Sequence, residues 1–138
     1  MVVLLVEPEK VPQAVEIDGS LSSMQQLVKE TIQAVYPFRE QAALICNDEG
    51  KLIGMPLNRQ IKEIADVIAG PFFICGIDGE EFTSLSEKQM ERFMERFHDP
   101  EVILATKNGY LAITVPDREE ELAEANVIPY RTSPKKKR

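Results

Sequence analysis

Four consecutive apolar residues, Phe72-Phe73-Ile74-Cys75, follow the bend marker Gly70-Pro71. Neighbouring side chains of a strand point to opposite faces, so such a run needs cover on both sides. It predicts a central strand held between two layers. A chain of 138 residues has the length of one domain and can bury such a core without disulfides or metals. The 43% hydrophobic and 28% charged fractions exclude a wholly disordered chain. No apolar run nears the roughly 20 residues that cross a bilayer, so no membrane contact is expected.

The strands and helices around that run follow from periodicity. Val2 to Val6 reads as a buried strand, too short and too lightly flanked for a signal peptide. Gln13 to Ile17 alternates and can pair with it as a hairpin. Asp18-Gly19-Ser20 supplies capping oxygens for a helix carrying Leu21, Met24, Leu27, Val28, Ile32 and Val35, about four turns ending before Pro37. Ala42–Cys46 and Lys51–Met55 flank the turn residues Asn47-Asp48-Glu49-Gly50 and are predicted to form a second hairpin. After Pro56, residues 57–69 are either a short helix through Ile61, Ile64, Ala65 and Ile68 or an irregular excursion, with Val67–Ala69 able to begin a strand. Gly76 to Gly79 is a turn. Ser86 with Gln89 is a capping box for a second helix with the stripe Met90, Phe93, Met94 and Phe97. Asn108-Gly109 is a hairpin turn that sets Leu104 opposite Ile113 and Val102 opposite Val115, gathering Val102, Leu104, Leu111, Ile113 and Val115 on one face.

Helices do not alternate singly with strands, which argues against a doubly wound parallel sheet. The expected fold is α+β: a largely antiparallel or mixed sheet built from hairpins, with two amphipathic helices packed on it. One domain spans 1–116. Residues 117–138 form an acidic stretch and a basic tail of flexible character.

The net charge of −7 divides accordingly. Ahead of the tail, 134 residues carry 12 basic and 23 acidic groups, or −11, and Lys135, Lys136, Lys137 and Arg138 return +4. Those four are the only candidate nucleic-acid contact, of the kind seen in basic arms and import signals. Cys46 and Cys75 lie in apolar runs and read as reduced core thiols of a cytoplasmic protein. With one histidine, His98, the chain lacks the clustered ligands of a zinc site. No phosphate-binding glycine loop and no EF-hand spacing occurs, so no metal, cofactor or catalytic residue is assigned. The polar residues that stand out are Asn58 and Arg59, placed on a loop between Pro56 and an apolar stretch. A guanidinium fork beside an amide suits a carboxylate, a phosphate or a protein partner, and Asp66 is a candidate internal partner for Arg59.

Several strings, taken in order, carry a resemblance. They are Glu16-Ile17-Asp18-Gly19-Ser20-Leu21, Ala34-Val35-Tyr36-Pro37-Phe38, Asn47 to Leu52, Pro56-Leu57-Asn58-Arg59, Asp66 to Gly76 and Glu81 to Ser86. Together they resemble a bacterial domain-of-unknown-function family, number 3846, over about residues 2 to 97. The resemblance implies a bacterial protein with phage or conjugative-element associations. It transfers no catalytic or binding residue.

The leading expectation is therefore a small cytoplasmic accessory module that binds a protein partner in a mobile element. A second is an acidic mimic of DNA that occupies a DNA-binding protein, motivated by the −11 body. A third is a small enzyme using Asn58 and Arg59, which requires a pocket beside them.

Overall fold

The structure is a computed structural model that describes residues 1–115. Its centre is the antiparallel order β2(Gln13–Glu16)-β1(Val2–Val6)-β7(Phe72–Asp78)-β4(Ala42–Asn47)-β3(Ile32–Val35), with β8(Glu81–Thr83) paired to the end of β7. Two further hairpins stand off this sheet: β5(Leu57–Ile61) with β6(Asp66–Ala69), and β9(Glu101–Thr106) with β10(Gly109–Thr114). Two helices, α1(Leu21–Val28) and α2(Glu87–Arg96), complete an α+β fold.

The central strand is the one expected. On β7, Phe72 and Ile74 enter one core, while Phe73 and Cys75 enter another on the opposite face. The first core is closed by Phe93 and Phe97 at α2 and by Ile61 and Ile68 of β5–β6. The second is closed by Met24 and Val28 of α1. Cys46 and Cys75 fall in different cores, so the sheet itself separates them and both are free. Burial pushes their thiols up to about 11 and about 12 respectively, which leaves them protonated and unreactive at neutral pH.

Four expectations are corrected. Helix α1 has eight residues and stops at Val28, because Lys29 turns left-handed (φ 70°) and the Asn47 amide donates to the Val28 carbonyl at 3.0 Å. Ile32–Val35, read as the helix's last turn, is strand β3; β-branched residues at both ends suit it, and spacing three apart is ambiguous over so few positions. The second hairpin does not form. Both edges of β4 are taken by β3 and β7, while residues 51–54 close on themselves through Ile53 N–H to the Glu49 carbonyl (3.0 Å) and Met55 N–H to the Gly50 carbonyl (2.9 Å). Gly50 is needed there, since a Cβ would lie 2.5 Å from the Ala69 carbonyl oxygen. Residues 57–69 are the β5–β6 hairpin around a 3-10 turn at Lys62–Ile64, with Val67–Ala69 in strand as the sequence allowed. Finally, β7 runs through Gly76 to Asp78, so the expected Gly76–Gly79 turn shrinks to its last part.

Other readings hold. The β1–β2 hairpin forms, and the Ser86–Gln89 capping box closes with Gln89 N–H to Ser86 Oγ at 3.1 Å and Ser86 N–H to Gln89 Oε1 at 3.0 Å. The β9–β10 hairpin also forms, but its pairing is shifted by two residues. Leu111 faces Leu104, Ile113 faces Val102, and Gly109 pairs with Thr106, so the loop is Lys107-Asn108. A slip of two leaves every side chain on its expected face.

Candidate functional site

Asn58 and Arg59 lie on β5 rather than on a loop. The pairing with β6 shifts between Leu57↔Ala69 and Arg59↔Ile68, which marks a bulge at Asn58. In a regular strand two successive side chains face opposite ways; the extra residue of a bulge re-aims one of them. Here both turn inward, and both are fully buried.

Their polar groups are closed on backbone. The Asn58 amide donates to the Val6 and Gly70 carbonyls, each at 2.9 Å, and its Oδ1 accepts from Arg59 Nη1 at 2.9 Å. Arg59 Nη2 donates to the Lys10 carbonyl and to the Phe97 carbonyl, both at 2.8 Å, and Nε reaches the same Phe97 oxygen at 3.3 Å. Phe97 is the C-cap of α2, where the helix dipole is negative, so a partial charge receives the cation. Burial lowers the guanidinium to about 10, and the Glu101 and Asp99 carboxylates oppose the fall. It is therefore charged at neutral pH. The pair ties together the end of β1, the β1–β2 connection, the β6–β7 turn and the end of α2. What it does chemically is hold these segments.

Asp66 is not Arg59's partner. It stands opposite Ile61 across the hairpin, and its carboxylate pairs with Lys51 while accepting from the Val67 amide at 2.8 Å. It lines an open cavity of about 350 Å³ with Asn47, Asp48, Glu49 and Lys51, away from Asn58 and Arg59. The structure thus joins two of the three candidates and separates the third. His98 Nδ1 lies 2.7 Å from Asp99 Oδ1 just past α2, and both cysteines are sealed in the two cores. Among the described residues no three His, Cys, Asp or Glu side chains are placed to hold a metal ion. No helix among them is long and apolar enough to cross a membrane. Lys135, Lys136, Lys137 and Arg138, with the acidic stretch from Asp117, lie outside the described residues.

The feature that sequence reasoning half found is the β9–β10 face. Its apolar side was identified, but its exposure was not. Val102, Leu104, Leu111 and Ile113 are 48, 48, 51 and 48% exposed. The other side of the hairpin meets the body. Ile103 pairs with Ala112 there, Glu101 Oε1 accepts from the Gln60 amide of β5 at 2.8 Å, and Lys51 Nζ lies 5.5 Å from the Tyr110 ring centre. A two-stranded hairpin is marginal alone, and a contiguous exposed apolar side marks a contact surface.

No curated protein and no solved structure matches the chain. The family model described as Domain of unknown function (DUF3846) matches residues 1–98, from β1 to just past α2 and short of the β9–β10 hairpin. The strings noted in the sequence lie within that span, and with most of its length matched the chain belongs to this family.

Proposed function

We propose that this protein is a small accessory module that works by docking to a protein partner through the outer face of β9–β10. The observation that carries the reading is the half-exposed stripe Val102, Leu104, Leu111 and Ile113. Charge narrows the partner. Residues 101–114 hold one acid, Glu101, and one base, Lys107, whereas residues 1–115 hold 18 acids and ten bases. A neutral apolar stripe on an acidic body fits a surface with an apolar strip and basic flanks. A second copy of the chain would bring like charge to those flanks. The family resemblance supports a bacterial mobile element as the setting.

The test compares the full chain with Leu104→Ser/Leu111→Ser as bait in the native host, followed by reconstitution with the purified captured protein. The expected result is a partner held by the wild type, released by the double substitution, and weakened by added salt. Equal capture by both baits overturns the reading. So does concentration-dependent dimerisation that the double substitution abolishes, because a second copy then fills the face.

A further inference from the structure

We infer that the partner grips this protein by adding an extended strand to the outer edge of β10, antiparallel to it. The inference rests on the docking reading above and gives the partner its form: a segment apolar at alternate positions and basic at its ends.

The free backbone groups are the first argument. Antiparallel pairs alternate between residues that exchange both hydrogen bonds and residues that exchange none. The Val115 N–H donates to the Pro100 carbonyl at 2.8 Å, in step with the register that sets Gly109 opposite Thr106. Residues 109, 111, 113 and 115 therefore turn their N–H and C=O groups toward β9, and Tyr110, Ala112 and Thr114 turn theirs away. The other edge of β9 lies against β5, where Glu101 Oε1 accepts from the Gln60 N–H at 2.8 Å. The outward groups of β10 meet no strand among the described residues.

The second argument is that this edge lacks the devices that keep sheet edges apart, which are short length, charge, proline and bulges. Strands β2, β3 and β6 have four residues each and β8 has three, and β2, β6 and β8 also carry Glu16, Asp66 and Glu81. Strand β10 has six residues with no charge and no proline, and its register runs without a bulge. An unguarded edge is a template for a further strand. Side chains placed opposite Leu111 and Ile113 would share their face, so alternate apolar residues in the added strand widen the exposed stripe.

Charge and pattern select the source. Residues 1–115 hold 18 acids and ten bases, so a second copy brings like charge. The chain's own continuation opens with Asp117, Glu119, Glu120, Glu121 and Glu124 against Arg118, again the sign of the body. Beyond it, Leu122-Ala123 and Val127-Ile128 are adjacent rather than alternate, Pro129 follows, and Lys135 to Arg138 bring no apolar residue. A segment of another protein with basic ends suits both the edge and the acidic body.

The test uses the full chain and the capped peptide Lys-Thr-Val-Thr-Val-Thr-Lys, whose threonines fall opposite residues 110, 112 and 114 and whose valines fall opposite 111 and 113. One analogue is N-methylated at the threonines, which removes the donors aimed at β10; another is N-methylated at the valines, whose N–H groups point away. Hydrogen exchange by NMR reads the edge, and calorimetry reads affinity. In the free chain the amides of Tyr110, Ala112 and Thr114 are expected to exchange rapidly, and the peptide should protect them. The valine-methylated analogue should bind like its parent, and the threonine-methylated one about tenfold more weakly or worse. Ala112→Pro removes an outward donor and leaves the bonds to β9, so it should weaken the parent peptide by about tenfold. Thr114→Pro repeats the test at an exposed position if Ala112→Pro disturbs the fold.

The inference is overturned if the peptide gives no protection, if both analogues bind alike, or if a folded proline variant binds as tightly as wild type. It is also overturned if those amides are already slow in the free chain. Protection lost on dilution then assigns the edge to a second copy, and protection that survives dilution assigns it to residues 116–138. The docking reading fails separately, on equal capture by wild type and Leu104→Ser/Leu111→Ser. Capture by an Ala112→Pro bait as strong as wild type leaves that reading standing and removes the added strand.

Discussion

Two hairpins stand outside the central sheet, and they invert the usual distribution of residues. The β5–β6 hairpin buries an amide and a guanidinium completely, whereas β9–β10 leaves four large aliphatic side chains about half exposed. Residue type decides neither case. Asn58 and Arg59 are tolerated inside because their groups meet carbonyl acceptors or each other at 2.8 to 3.3 Å. A buried polar group costs little when satisfied and much when orphaned. The stripe on β9–β10 has no such closure among the described residues. One hairpin is closed within the fold; the other leaves its apolar side open among the described residues.

The sharpest way to break this contrast is to remove the joint. Arg59→Ala orphans the Lys10 and Phe97 carbonyls and Asn58 Oδ1 in the interior. It is expected to cost about 3 kcal/mol or more, read as a lowered urea midpoint at unchanged slope. Arg59→Lys should recover only part of this, because a point charge cannot reach acceptors spread across a planar fork. Wild-type stability in Arg59→Ala would mean that the guanidinium is dispensable to the fold and free for a ligand.

The contrast also explains what the sequence could disclose. The run Phe72–Cys75, the Ser86–Gln89 box and the Phe93/Phe97 stripe each carry a local cause, and each appears where expected. The Asn58–Arg59 pair was visible as unusual, but its role depends on a bulge, and a bulge is set by the partner strand. Its acceptors lie up to 52 positions away, at Lys10, Val6, Gly70 and Phe97. Such contacts leave no periodic trace. The same holds for Asn47, which reads as a turn residue yet ends α1 from 19 positions downstream. Hairpin β9–β10 fails differently. Its apolar face is legible from alternation, but alternation cannot say whether anything covers that face.

Asn47 supplies the next test. It donates to the Val28 carbonyl at 3.0 Å, and its Oδ1 accepts from the Glu49 amide at 2.7 Å. Asn47→Ala leaves the α1 terminus open and should cost about 1 to 2 kcal/mol in urea unfolding. A loss below about 0.5 kcal/mol would show that Lys29's left-handed turn alone ends the helix. By contrast, Leu104→Ser/Leu111→Ser should change stability by less than about 1 kcal/mol, since half-exposed side chains contribute little to the fold. A much larger loss in that pair would put the hairpin face among the fold's own contacts and turn the comparison around.

The smallest effect concerns the ion pair between Glu63 of the 3-10 turn and Arg96 of α2. The Arg96 guanidinium holds the Glu63 carboxyl below its ordinary value of 4.5, with hydrogen bonding as the main cause and burial opposing it. A carboxylate whose folded value is lowered stabilises the fold above its unfolded value and loses that contribution as pH falls through the folded one. The window therefore opens near pH 4.5 and extends below it. The pair is about one-third exposed on both sides, so solvent screening limits it to a few tenths of a kcal/mol. Glu63→Gln should thus lower the melting temperature slightly at pH 7, and the difference should shrink below pH 4.5 and vanish once the folded carboxyl is protonated. If the difference persists at acid pH, packing of the side chain rather than its charge joins the 3-10 turn to α2.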